Sequence, residues 1–259
     1  VAALWTWFLA RSNHLRLPGA ASFAMFVAVW VLYAADRLLD SRAAAMHLGS
    51  MRELEARHLF HRRHQVGFRV GIALSALALA ALAPRFPPSA IRLYLVLAAM
   101  LAAYFVLIHA RPARGHRLPK ELAVGIFFSA AAFIPTVAAV PSLIAPLLPA
   151  AVLFAVLCSL NCLFIHAWEH PRPSANAHPA TGAALERLTG IASATVAAGL
   201  ALAAAGHGLP RLVPLSCAMA AALLLAVHGQ RGRMAASTLR AAADLCLLTP
   251  LLILPVLYL

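Results

Sequence analysis

Eight apolar runs dominate this chain, and each is long enough to cross ~30 Å of hydrocarbon, for which a helix rising ~1.5 Å per residue needs about 20 residues. They cover approximately residues 18–36, 67–83, 89–109, 121–140, 143–166, 188–206, 211–228 and 239–259. Inside a bilayer every backbone N–H and C=O must be bonded within the protein, so a spanning segment is either a helix or a strand of a closed barrel. The runs are rich in Ala, Leu and Val and show no period-2 alternation, which selects helices. A soluble domain would not carry 63% hydrophobic and 11% charged residues at a mean hydropathy of +0.85. The expectation is an all-α integral membrane protein of eight to nine transmembrane helices, forming a single polytopic domain over residues 1–259. The ninth candidate is the opening "VAALWTWFLA", either a shortened first helix or an interfacial anchor bearing Trp5 and Trp7. It lacks the basic leader of a signal peptide.

Basic residues accumulate in cytoplasmic loops and so give an orientation. With the opening segment counted as helix one, the loops after helices two, four, six and eight hold sixteen Lys and Arg, and the other loops hold five. Even-numbered helices are therefore expected to end in the cytoplasm, in a bacterial-type inner or plasma membrane. The net charge of +13 then has a topological origin, assisted by anionic headgroups, and calls for no nucleic acid partner. Cys158, Cys162, Cys217 and Cys246 all fall inside spans without a CxxC pair, and read as small packing residues.

Polar residues are the exception in such a chain, and their positions carry the functional reading. Of only eight acids, Asp36, Asp40 and Glu169 lie at the predicted cytoplasmic ends of helices two and six. A carboxylate near hydrocarbon is costly unless paired or bound to a cation. Asp36 and Asp40, in "YAADRLLD", are spaced i,i+4 and share a helix face, whereas Arg37 lies about 100° away and cannot neutralise both. In "CSLNCLFIHAWEHPRP", Asn161, Ile165 and Glu169 form one stripe, closed by Pro171. One reading makes these acids snorkelling anchors paired to neighbouring arginines. The other makes them hard oxygen ligands for Mg²⁺, which favours carboxylates together with substrate phosphates, with arginines supplying bidentate phosphate contacts. Arg57, Arg62 and Arg63 in the first cytoplasmic loop, with Arg117 and Lys120 in the second, are the candidates by position.

With these residues in place the chain resembles the UbiA-type prenyltransferase superfamily, nine-helix membrane proteins with an Asn-Asp-x-x-Asp-x-x-x-Asp motif ending helix two and a second acidic motif after helix six. In "LYAADRLLD" the last two family aspartates fall on Asp36 and Asp40, with Leu32 and Tyr33 at the leading Asn-Asp pair. In "NCLFIHAWE" the family Asn falls on Asn161 and the final acid on Glu169, with Cys162 and Ile165 at the two acidic positions between. "HRLPKELAVGIFFSAAAFIP" resembles the basic lead-in to helix five. The resemblance implies a UbiA prenyltransferase-like bundle that binds an isoprenoid diphosphate with Mg²⁺ and transfers the prenyl group to a lipophilic or aromatic acceptor. It assigns Asp36, Asp40, Asn161 and Glu169 to catalysis, the three acids among them to metal, and Tyr33, Arg57, Arg62, Arg63, Arg117, Lys120 and His166 to substrate.

Two other classes compete. A relative with fewer acids could be a non-catalytic lipid-binding or assembly protein of the same fold. Alternatively, "RHLFHRRH" and "HAWEH" place His58, His61, His64, His166 and His170 in two loops, and His166-x-x-Glu169-His170 fits the HxxEH zinc pattern. Met51 to Arg69 has the spacing of an amphipathic helix that could lie over a site. Asp244 is expected to make a helix–helix hydrogen bond, and Trp5, Trp7 and Trp168 to anchor at the interface.

Overall fold

The computed structural model describes residues 1–47, 63–110, 119–170 and 178–258, which form helices and short connections with no strand among them. The helices are α1 (Ala2–Ser12), α2 (Gly19–His47), α3 (Gln65–Leu82), α4 (Pro88–Ala110), α5 (Lys120–Ala139), α6 (Ile144–Glu169), α7 (Pro179–Glu186), α8 (Leu188–Ala205), α9 (Leu212–Gly229), α10 (Ala236–Cys246) and α11 (Pro250–Tyr258). Among the described residues eight segments are long and apolar enough to cross a membrane, the last made of α10 and α11 together. This is a multi-pass, all-α membrane protein. Two compact units divide it, one of Ala3–Leu17 with Pro88–Leu259, the other of Pro18–Pro87, and each is taken by itself.

The smaller unit is the hairpin of α2 and α3, in which Gly71 makes room for the Trp30 indole: a Cβ there would stand 2.7 Å from the ring. The larger unit is organised on α6. Its seam with α5 is built from small residues one turn apart, Gly125 and Ser129 against Ala151, Ala155 and Ser159. Small residues let helix backbones approach where lipid offers no hydrophobic drive for association. A Cβ on Gly125 would collide with the Ser159 hydroxyl and the Ala155 carbonyl, and the Ser129 hydroxyl donates to the Ala151 carbonyl at 2.8 Å.

Prolines inside the spans free carbonyls that must then find other donors. Pro135 in α5 cannot donate to the Ala131 carbonyl, and the Tyr94 hydroxyl of α4 donates there instead at 3.1 Å. The last span breaks at residues 247–249, ahead of Pro250. There the Leu247 carbonyl accepts from the Trp5 indole at 2.8 Å, and the Thr249 hydroxyl donates to the Ser216 carbonyl at 2.9 Å. Trp5 lies fully buried with its ring 4.2 Å from that of Phe154, in the aromatic centre that Phe8, Phe128 and Phe133 complete.

Three expectations change. Trp5 is a core residue and not an interface anchor, because α1 packs into the bundle and its indole caps a broken helix. The segment 239–259 is two helices, since Pro250 lacks the N–H that would bond the Cys246 carbonyl. Helix two runs past the end of its apolar run at residue 36 to His47, and Asp36 and Asp40 share it as their i,i+4 spacing required. Hydropathy marks where lipid ends, whereas good helix formers such as Ala43, Ala44 and Ala45 continue the backbone. Met51 to residue 62 of the expected lid helix lies outside the described residues.

Trp5→Ala should lower stability by about 3–5 kcal/mol, and Trp5→Phe, which keeps a ring but orphans the Leu247 carbonyl, by about 1–3 kcal/mol. Thermal melting in detergent checks the order; a Trp5→Phe variant as stable as the wild type would show that the hydrogen bond contributes nothing.

Candidate functional site

Several polar residues of the larger unit gather on the last turns of α6, brought there by helices that pack on it. Glu121 is one turn before Gly125, so the small-residue seam that draws α5 onto α6 also carries this carboxylate to His166. Glu121 Oε1 lies 3.2 Å from His166 Nδ1, and the Thr181 hydroxyl of α7 donates to Glu121 Oε2 at 3.0 Å. Both residues are sheltered, with side-chain exposures of 21% for His166 and 17% for Glu121. The His170 ring stands 4.9 Å from that of His166.

A second seam joins α6 to α10. Glu169 Oε1 accepts from Arg240 Nη2 at 2.7 Å, and deeper along the same pair Asn161 Nδ2 donates to Asp244 Oδ1 at 3.5 Å. Asn161 is only 7% exposed, and its Oδ1 finds no hydrogen-bond donor among the described residues. Nearby, Trp168 Nε1 donates to His228 Nδ1 of α9 at 3.0 Å. Trp168 is thus half-buried and tied to a neighbouring helix.

Beside the first seam α5 and α6 leave an open apolar groove of about 510 Å³, which reaches α7 and α8 at Ala184 and Ile191. Leu163 and Ala184 line it, each three residues from a polar partner, His166 and Thr181 respectively, and Leu122 adjoins Glu121 in sequence. Residues three apart on a helix share a face. The Thr181–Glu121–His166 chain does not line the groove itself, but it joins the same three helices one turn beyond Leu163 and Ala184.

The residues named from sequence fall as follows. Asn161, His166 and Glu169 share the α6 end in the larger unit, with Lys120 at the start of α5 half-buried. Asp36, Asp40 and Tyr33 lie on α2 of the smaller unit; Asp36 is half-buried, and Tyr33 is 53% exposed with the Arg37 guanidinium 5.0 Å above its ring. Arg63 is exposed ahead of α3, while Arg57, Arg62, Arg117, His58 and His61 lie outside the described residues. Asp244 makes the expected helix–helix hydrogen bond. Glu121 and Arg240 were passed over in sequence. Glu121 sits in "PKELAVG", where an acid opening a helix looks like ordinary N-terminal charge, yet its spacing to Gly125 and Ser129 marked the packed face.

Mg²⁺ can be tested against the α6 end. Among the described residues no group of three or more His, Cys, Asp and Glu is placed to hold a metal. Arg240 already engages Glu169, and His166 and Thr181 engage Glu121, so the α6 end does not fit a protein-held Mg²⁺. The same pairing gives His166, Glu169 and His170 no shared focus for a zinc ion. No known protein family, curated protein or solved structure matches the chain.

A buried amide oxygen without a donor weakens a fold, so Asn161→Leu should cost less than about 1 kcal/mol or raise the melting temperature. A loss of several kcal/mol in a thermal or denaturant melt would mean that Asn161 is a structural polar contact.

Proposed function

We propose that the protein binds an isoprenoid diphosphate at the cytoplasmic ends of its spans and transfers the prenyl group to a lipophilic or aromatic acceptor. The observation that supports this reading is the gathering of Lys120, Glu121, Arg240 and Asp244 from α5 and α10 around Asn161, His166 and Glu169 of α6. Ionisable side chains in membrane helices are expensive and mark sites of polar chemistry. This is also the helix end to which the resemblance assigns the second acidic motif. Glu169 fixes Arg240 through one guanidinium N–H, and a guanidinium carries five, so a diphosphate oxygen can be met by the others. Lys120, with Arg57, Arg62, Arg63 and Arg117 of the loops, would add charge that stabilises the leaving diphosphate. The apolar spans keep water from the allylic cation. The resemblance assigns Mg²⁺ to Asp36 and Asp40 of α2, in the smaller unit.

A second reading, a lipid-binding or assembly protein without catalysis, draws on one observation: the carboxylate of Glu169 is held by Arg240. Binding of a polyprenyl diphosphate to the purified protein separates the two. Under the transferase reading EDTA weakens binding by about tenfold or more, Asp36→Ala removes that dependence on Mg²⁺, and Arg240→Ala weakens binding by about tenfold with or without the metal. Affinity indifferent to EDTA and to both substitutions would sink it.

A further inference from the structure

We propose that the groove between α5 and α6 is the binding site of a lipophilic acceptor with an acidic O–H, and that His166 Nε2 takes the proton from that group. This rests on the transferase reading for the identity of the partner and names the base which that reaction needs. Prenyl transfer breaks the allylic C–O bond, leaving its electron pair on the diphosphate, and forms a bond from the acceptor to the allylic carbon. The acceptor's proton must then go to a base.

The geometry selects His166 for that role. Glu121 lies against Nδ1, which fixes the tautomer with hydrogen on Nδ1 and leaves the lone pair on Nε2. The Thr181 hydroxyl occupies the second oxygen of Glu121 and holds the carboxylate in position. A carboxylate behind the ring also stabilises the imidazolium that forms when Nε2 accepts a proton. Glu121 is accordingly a positioning residue and His166 the group that touches the substrate. The other charged groups around this corner are Lys120 of α5, Glu169 and His170 of α6, and Arg240 and Asp244 of α10. The groove supplies the other half of the recognition. Its walls are apolar side chains of Ile126, Val152, Val156 and Leu160, and about 510 Å³ lies within the range of sites that accept a small amphiphile. A tail along those walls with a head at Leu122, Leu163 and Ala184 brings a phenol or similar hydroxyl to the Thr181–Glu121–His166 chain.

The test uses a nitrophenol with a dodecyl chain para to its hydroxyl, whose phenolate is yellow, added to the purified full chain in detergent micelles with EDTA and no diphosphate. Bound to the wild type, the probe should titrate about one pH unit or more below its midpoint in protein-free micelles, because the imidazolium stabilises phenolate. His166→Ala should abolish the shift, Glu121→Gln should reduce it by half or more, and Ala130→Phe, which fills the groove, should weaken binding about tenfold in protein whose melting curve is intact. An unchanged shift in His166→Ala, or undiminished binding to folded Ala130→Phe, overturns the proposal. Loss of the shift with intact Mg²⁺-dependent diphosphate binding removes the base and leaves the transfer. A normal shift with failed diphosphate binding removes the transfer and leaves the base.

Discussion

A carbonyl oxygen in hydrocarbon must find a donor, and the architecture of the larger unit follows from where those donors come from. Two of its prolines show the demand. Pro135 withholds an N–H from the Ala131 carbonyl and Pro250 accompanies the break that exposes the Leu247 carbonyl. Tyr94 and Trp5 answer it from other helices. Each bond fixes a distance and a rotation between two elements that apolar contact alone would leave free to slide, because lipid tails compete equally well for Leu and Val surfaces. Large aromatic residues serve here because they join a ring that packs to a hydrogen that donates.

The same economy of polar groups explains why the α6 end is the site. The α5–α6 seam excludes bulk at Gly125, Ser129, Ala155 and Ser159, and continuing its one-turn spacing outward brings Glu121 beside His166. The α6–α10 seam does the same for Glu169 with Arg240 and Asn161 with Asp244. Packing and chemistry are therefore coupled: a larger residue at Gly125 would displace a carboxylate one turn away, although it touches no polar group of the Glu121–His166 pair.

The spans were legible in the sequence because a hydrophobic run of fixed length has a single physical meaning in a bilayer. The ends were less so. Helix two continues through Asp36 and Asp40 to His47, since hydropathy and helix propensity stop at different residues, and the last span hides a break that Pro250 signalled but its apolar flanks concealed. For the site, the α6 residues Asn161, His166 and Glu169 were visible as polar exceptions in an apolar stretch. Their partners were not. Which acid meets which base depends on helix rotation, and nothing local to "PKELAVG" or "STLRAAADLC" says that Glu121 faces His166 or that Arg240 faces Glu169. The periodic Gly125 and Ser129 carried that information, written as packing instead of charge.

The Trp5 hydrogen bond spans 242 positions of the chain. At a synthesis rate of about 5–20 residues per second, Trp5 leaves the ribosome on the order of ten seconds or more before Leu247 exists. During that interval α1 has no carbonyl to cap, and Phe154, its ring partner, is itself not yet made for much of the time. The first helix therefore has to wait at the membrane in some provisional place, and the bundle cannot close around its aromatic centre until the last span arrives. Its assembly is thereby tied to the completion of the chain, so that a truncated product would expose the very residue meant to finish the core.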